Sequence, residues 1–137
     1  MAKYQITVDE KQLDTLIKST EAFSRICTGQ IKYALEEGWS KKLFDLSSDT
    51  REMIEQKCRV ITLLLSEGRF DGYGGSFGIY SKEINECAVT AYNIQQVLRN
   101  QKWGEKSESE KHDSRYTTSS SVSICNGEEP IKIERIE

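Results

Sequence analysis

The chain has 137 residues, 36% of them hydrophobic and 30% charged, with a formal net charge of −3. That length makes one domain over residues 1–137, the polar composition implies a thin core that a second copy completes, and the charge gives no global attraction to DNA. No run approaches the about 18 apolar residues of a spanning helix, and Met1-Ala2-Lys3-Tyr4 carries no apolar signal core, so a cytoplasmic protein with no membrane partner is expected.

Residues 3–8 alternate polar and apolar, with Tyr4, Ile6 and Val8 on one side, the period of a half-buried strand. Asp9 with Gln12 has the spacing of a capping box, and an apolar stripe from Leu13 to Leu35 predicts a first helix over residues 10–37. Gly38 suits the left-handed position after its last turn, and residues 39–48 read as a connector. A second capping box, Asp49 with Glu52, opens a helix over residues 50–67 that Gly68 stops.

The stretch GRFDGYGGSFG holds five glycines in eleven residues, so it predicts a shaped loop rather than a regular element. Ser81 can cap a third helix whose stripe, Ile84, Cys87, Ala88, Ala91, Ile94, Gln95 and Leu98, ends near Trp103. Residues 104–121 are rich in Glu, Lys, Ser and Thr and read as an extended polar segment. Ile131, Ile133 and Ile136 predict a closing strand, which pairs most simply with residues 3–8. The expected fold is therefore α+β, mainly α: about three helices and a small antiparallel sheet joining the terminal strands, assembled as a homo-oligomer.

The chemistry of catalysis is sparse. Cys27, Cys58, Cys87 and Cys125 form no CxxC pair, so neither a zinc site nor a disulfide framework is indicated, and the first three fall on apolar faces as small reduced core residues. The single histidine, His112, sits in the polar tail, where an exposed imidazole is the plain reading. GYGGSFG lacks both the GKS or GKT ending and the preceding strand of a phosphate loop. No metal or cofactor is called for.

What remains suits binding of a phosphorylated, base-bearing molecule: cations for phosphate, aromatics for stacking, amides for base edges. Arg25 lies beside Gly29 and Gln30, where a mid-helix glycine costs about 1 kcal/mol relative to Ala and suggests a close contact or a tight helix crossing. Tyr73, Phe77 and Tyr80 flank the glycine loop and either stack on a base or pack in the core. On the third helix Asn93 and Gln96 share a face that Arg99 continues, in a row that is otherwise a solvated surface.

Taken in order, ITVDEKQL, FSRICTGQ, SFGIYS, AYNIQQVLRNQKW, a polar tail and a final IKIERIE resemble a family of small bacteriophage proteins over nearly the whole chain. Members of that family are similar to the anti-Thoeris sponges, which sequester the cyclic ADP-ribose isomer made by a bacterial TIR-domain defence enzyme. The resemblance implies a sponge in the host bacterial cytoplasm that binds glycocyclic ADP-ribose without cleaving it. It implies dimers or larger assemblies with pockets between protomers, some with a separate site for cyclic oligonucleotides. It would place Arg25 and Arg99 on the diphosphate, Phe77 on adenine and Asn93 on a polar edge, with Arg115 and Tyr116 closing over the ligand; Tyr80 joins the candidate binding residues as an aromatic flanking the glycine loop. The alternatives are a phage protein that inhibits a host protein by direct contact, which suits the acidic excess, and a small hydrolase, for which no base or metal cluster is evident.

Overall fold

A computed structural model of the chain describes residues 2–39, 42–70, 75–111, 122, 124, 127 and 129–136. Its regular elements are helices: α1 (Glu10–Cys27), α2 (Ile31–Gly38), a 3-10 turn (Leu43–Asp45), α3 (Ser48–Leu65), α4 (Glu86–Gly104) and the short α5 (Glu108–Lys111). None of these helices is long and apolar enough to cross a membrane.

The capping box forms as its spacing predicts. The backbone N–H of Gln12 donates to Asp9 Oδ1 at 2.7 Å, and the Asp9 N–H donates to Gln12 Oε1 at 2.8 Å, satisfying two of the donors that a helix start leaves open. The expected first helix over residues 10–37 is in fact two. Gly29 takes φ +83°, the Gly29 N–H reaches back to the Ile26 carbonyl at 3.0 Å, and the Gln30 N–H reaches the Arg25 carbonyl at 2.8 Å. That pair of bonds is a Schellman stop, so the glycine that looked like a tolerated interior residue is the terminator. Gly38, by contrast, ends α2 inside the helix and is not among the left-handed glycines.

The helix α3 begins a little ahead of the predicted residue 50, capped by Ser47, whose Oγ accepts the Thr50 N–H at 3.3 Å. It stops by the same Schellman pattern, with the Gly68 N–H on the Leu63 carbonyl at 2.9 Å. Here Glu67 itself takes the left-handed position, at φ +52°. The third predicted helix starts later than Ser81, because Asn85 Oδ1 accepts the Cys87 N–H at 2.8 Å and is the better-placed cap, while Ser81 closes a turn onto the Gly78 carbonyl.

The small antiparallel sheet is not present: no strand occurs among the described residues. Lys3 and Glu129 do meet, at 3.1 Å in an exposed ion pair, so the two predicted strands lie near each other. Tyr4 is nevertheless 90% exposed, and a ladder with no face to bury has little to hold it.

Packing centres on α4, which runs antiparallel to α1. Lys102 near the end of α4 pairs with Asp14 and Glu10 near the start of α1. Ala88, Val89, Ala91 and Leu98 are buried, together with the polar Asn93 and Gln95. The break between α1 and α2 is clipped by α3, where the Thr62 hydroxyl donates to the Gly29 carbonyl at 3.0 Å and Lys32 pairs with Glu55 at 2.8 Å. Of the three cysteines expected in the core, Cys58 is buried and Cys27 half-buried, but Cys87 is exposed because it falls on the first turn of α4, outside the packed stripe.

Candidate functional site

Where the C-terminal half of α1 faces the middle of α4, the two helices and the loop ahead of α4 enclose an open pocket of about 350 Å³. That volume lies at the small end of the range for small-molecule sites. Its α1 wall is Glu21, Ser24 and Arg25, continued by Thr28 and Gln30 from the helix break. The α4 wall is Tyr92, Gln95, Gln96 and Arg99, whose spacing of three, one and three residues makes a single stripe. Residues 76–79 form the third side.

Arg25 is held rather than loose. Its Nε and Nη2 donate to Glu21 Oε1 at 3.0 and 2.7 Å, one turn earlier on the same helix, and its Nη1 donates to Gln30 Oε1 at 2.6 Å across the break. Gln30 Nε2 in turn donates to the Ser76 hydroxyl at 3.4 Å. The guanidinium also lies 5.3 Å from the centre of the Tyr33 ring. Fixing the guanidinium from several directions removes much of the rotamer freedom that a long cation would otherwise lose on binding.

Phe77 enters from the glycine loop. Its N–H donates to the Thr28 carbonyl at 2.9 Å, and its ring packs with Ile79 and Tyr92 against Ile84 and Val89. Phe70 meets it edge to face with ring centres 5.0 Å apart, and the Arg69 guanidinium sits 5.3 Å from its centre, itself paired with Glu83. Gly75 makes this possible, since a Cβ there would collide with the Phe70 ring.

The structure thus brings together Arg25, Gln30, Phe77, Gln96 and Arg99 of the residues singled out in the sequence. Asn93 is buried and is not among the lining side chains, because it lies about 100° round the axis from Tyr92, off the edge of the stripe. Tyr80 is 68% exposed and also outside the lining. Tyr73, His112, Arg115, Tyr116 and Cys125, and most of the polar segment 104–121, lie outside the described residues.

Sequence reasoning missed Glu21, Ser24, Thr28, Ser76 and Gln95. Glu21 was findable, since it stands four residues before Arg25, the spacing of a helical ion pair. Gln95 was placed in the apolar stripe and is indeed 3% exposed, yet it also lines the pocket.

Two guanidiniums, one carboxylate, two packed aromatics and several amides can hold an anion and a flat ring together. Among the described residues no cluster of three or more His, Cys, Asp or Glu side chains is placed to hold a metal ion. No protein-family model matches the chain, and neither a curated protein nor a solved structure matches it.

Proposed function

We propose that this pocket binds a phosphorylated, base-bearing small molecule and keeps it intact, and that the ligand is a cyclic ADP-ribose isomer of the glycocyclic type. The chain then acts as a bacteriophage sponge in the host cytoplasm, withdrawing the signal on which Thoeris-type immunity depends. The observation that carries this reading is the convergence of Arg25, Arg99 and Phe77, from three separate segments, on one pocket. Two cations suit a diphosphate, and an aromatic ring braced by Phe70 lines the same pocket, where it suits adenine. The order of the five sequence blocks, which resembles the anti-Thoeris sponges, supplies the ligand's identity.

Assembly as a homo-oligomer belongs to the same proposal, as does a separate site for cyclic oligonucleotides. Its support is the row of exposed apolar side chains on α3, among them Met53, Val60 and Leu64, the last 70% exposed. The same row also favours a second reading, a contact with a host protein.

Thermal unfolding with and without glycocyclic ADP-ribose tests the proposal, with ADP-ribose and cyclic oligonucleotides as comparators. A ligand bound only by the folded chain stabilises it by about 2.7 kcal/mol at a hundredfold excess over Kd. A raised midpoint with ligand recovered unchanged after heat release supports a sponge. Recovery of a hydrolysed product makes the protein an enzyme, and an unmoved midpoint transfers the case to the host-protein reading.

A further inference from the structure

The pocket's cations share their wall with an acid. The Glu21 side chain is only 15% exposed, lines the same pocket as Arg25 and Arg99, and spends one oxygen, Oε1, on both of its bonds from Arg25. Among the described residues nothing donates to its other oxygen, Oε2. Holding Arg25 accounts for Oε1 alone; in a site for phosphate only, Oε2 would have nothing to bind and its charge would repel the ligand, the more so in a shielded pocket. A carboxylate is useful there if the ligand also brings a hydroxyl, and the hydroxyls of a nucleotide are those of its ribose.

We propose that Glu21 is a specificity-determining residue that accepts a hydrogen bond from a ribose hydroxyl, an inference that rests on the nucleotide reading given above. Oε1 keeps Arg25 turned toward the adjoining phosphate, and Oε2 takes the hydroxyl. The pair therefore reads a phosphate and a sugar as one unit. A phosphate placed on the recognised hydroxyl meets the carboxylate directly and is rejected.

Holding Arg25 in place is a separate role for Glu21, and ligand chemistry distinguishes the two. If it only positioned the guanidinium, its loss would weaken every ligand with the same phosphates by the same factor. If it reads a hydroxyl, its loss matters only while that hydroxyl is present, the logic of a double-mutant cycle with one member on the ligand.

The experiment is calorimetric titration of the full chain and of Glu21→Gln with glycocyclic ADP-ribose and with analogues that each lack one free ribose hydroxyl. The wild-type chain is expected to bind one analogue about tenfold or more less tightly than the parent, and Glu21→Gln to bind that analogue and the parent within about twofold of each other. Arg99→Ala should weaken both while keeping their ratio. A ratio unchanged in Glu21→Gln overturns the inference and leaves the proposed function standing. A wild-type chain that binds every analogue as tightly as the parent overturns it as well, without recourse to any variant. A wild-type chain that does not bind the parent defeats the proposed function, and this inference with it.

Discussion

The backbone N–H of Phe77 donates to the carbonyl of Thr28 at 2.9 Å, tying the glycine loop to the stop of α1. Thr28 is exposed to this bond only because the helix ends at that point; in a continuous helix over residues 10–37 its carbonyl would serve the next turn. The aromatic wall of the pocket thus depends on the break that Gly29 makes.

Gly29→Ala should therefore cost stability and ligand together. An added Cβ would meet nothing closer than Thr62 Cγ2 at 3.9 Å, so the penalty is conformational, arising from φ +83°, and amounts to about 1–2 kcal/mol. Glu67 presents the reverse case, a side chain already at φ +52°. Glu67→Gly should stabilise the fold by about 0.5 kcal/mol after the greater freedom of the unfolded chain is counted, read as a higher urea midpoint. Urea titrations of both variants check the opposite signs.

Arg99→Ala should lower affinity for glycocyclic ADP-ribose by tenfold or more while leaving the free protein's thermal midpoint within about 3 °C of wild type. Arg25→Ala should lower both affinity and stability, the latter by about 1 kcal/mol, because it also removes the link from Glu21 to Gln30 across the helix break. Calorimetry and thermal melts on the two variants separate the effects. Equal affinity in Arg99→Ala would count against the phosphate-binding role.

The pair between Lys32 and Glu55 sets a pH window. The hydrogen bond and charge of Lys32 hold the Glu55 carboxyl below its ordinary 4.5, so its contribution is present above that value and is lost as pH falls through the lower, folded value. The hydrogen bond that Lys32 donates to Glu55 holds its ammonium above the ordinary 10.5, so its contribution is present below that value and is lost as pH rises through the higher, folded one. The stabilising effect of the pair should be flat between these limits. Glu55→Gln should flatten the acid limb of a midpoint against pH profile relative to wild type.

Among the described cysteines, Cys87 should react first with iodoacetamide because it is exposed. Cys58 should react last, since burial pushes its thiol up and keeps the thiolate scarce. Burial and the nearby Cys87 push Cys27 up as well. Peptide mapping of a timed alkylation gives the order, and early labelling of Cys58 would contradict the packing of α3.

Of the cap signals one proved legible in full, while Ser47 rather than Asp49 caps α3 and Asn85 rather than Ser81 caps α4. Asp9 and Gln12 carry their capping box in their spacing, and the α1, α3 and α4 stripes follow from helical period. The strand alternation in Tyr4, Ile6 and Val8 misled because alternation needs a partner ladder and a face to bury, both of which are tertiary facts. Gly29 was read as an interior glycine because Ile31 and Ala34 continue the apolar period past it, and a Schellman stop leaves that period almost intact. In the site, Arg25, Phe77 and Arg99 were legible as chemistry, but Asn93 was assigned outward where packing turned it inward.

Gln95 is at once floor of the pocket and part of the buried face of α4. Recognition at that point is inherited together with foldability: a lineage that altered this amide to suit another molecule would first have to survive the repacking of its central helix. The rim carries no such debt. At Gly78, which also lines the pocket, an added Cβ meets nothing within 4 Å, so a side chain can be placed there while the scaffold is kept.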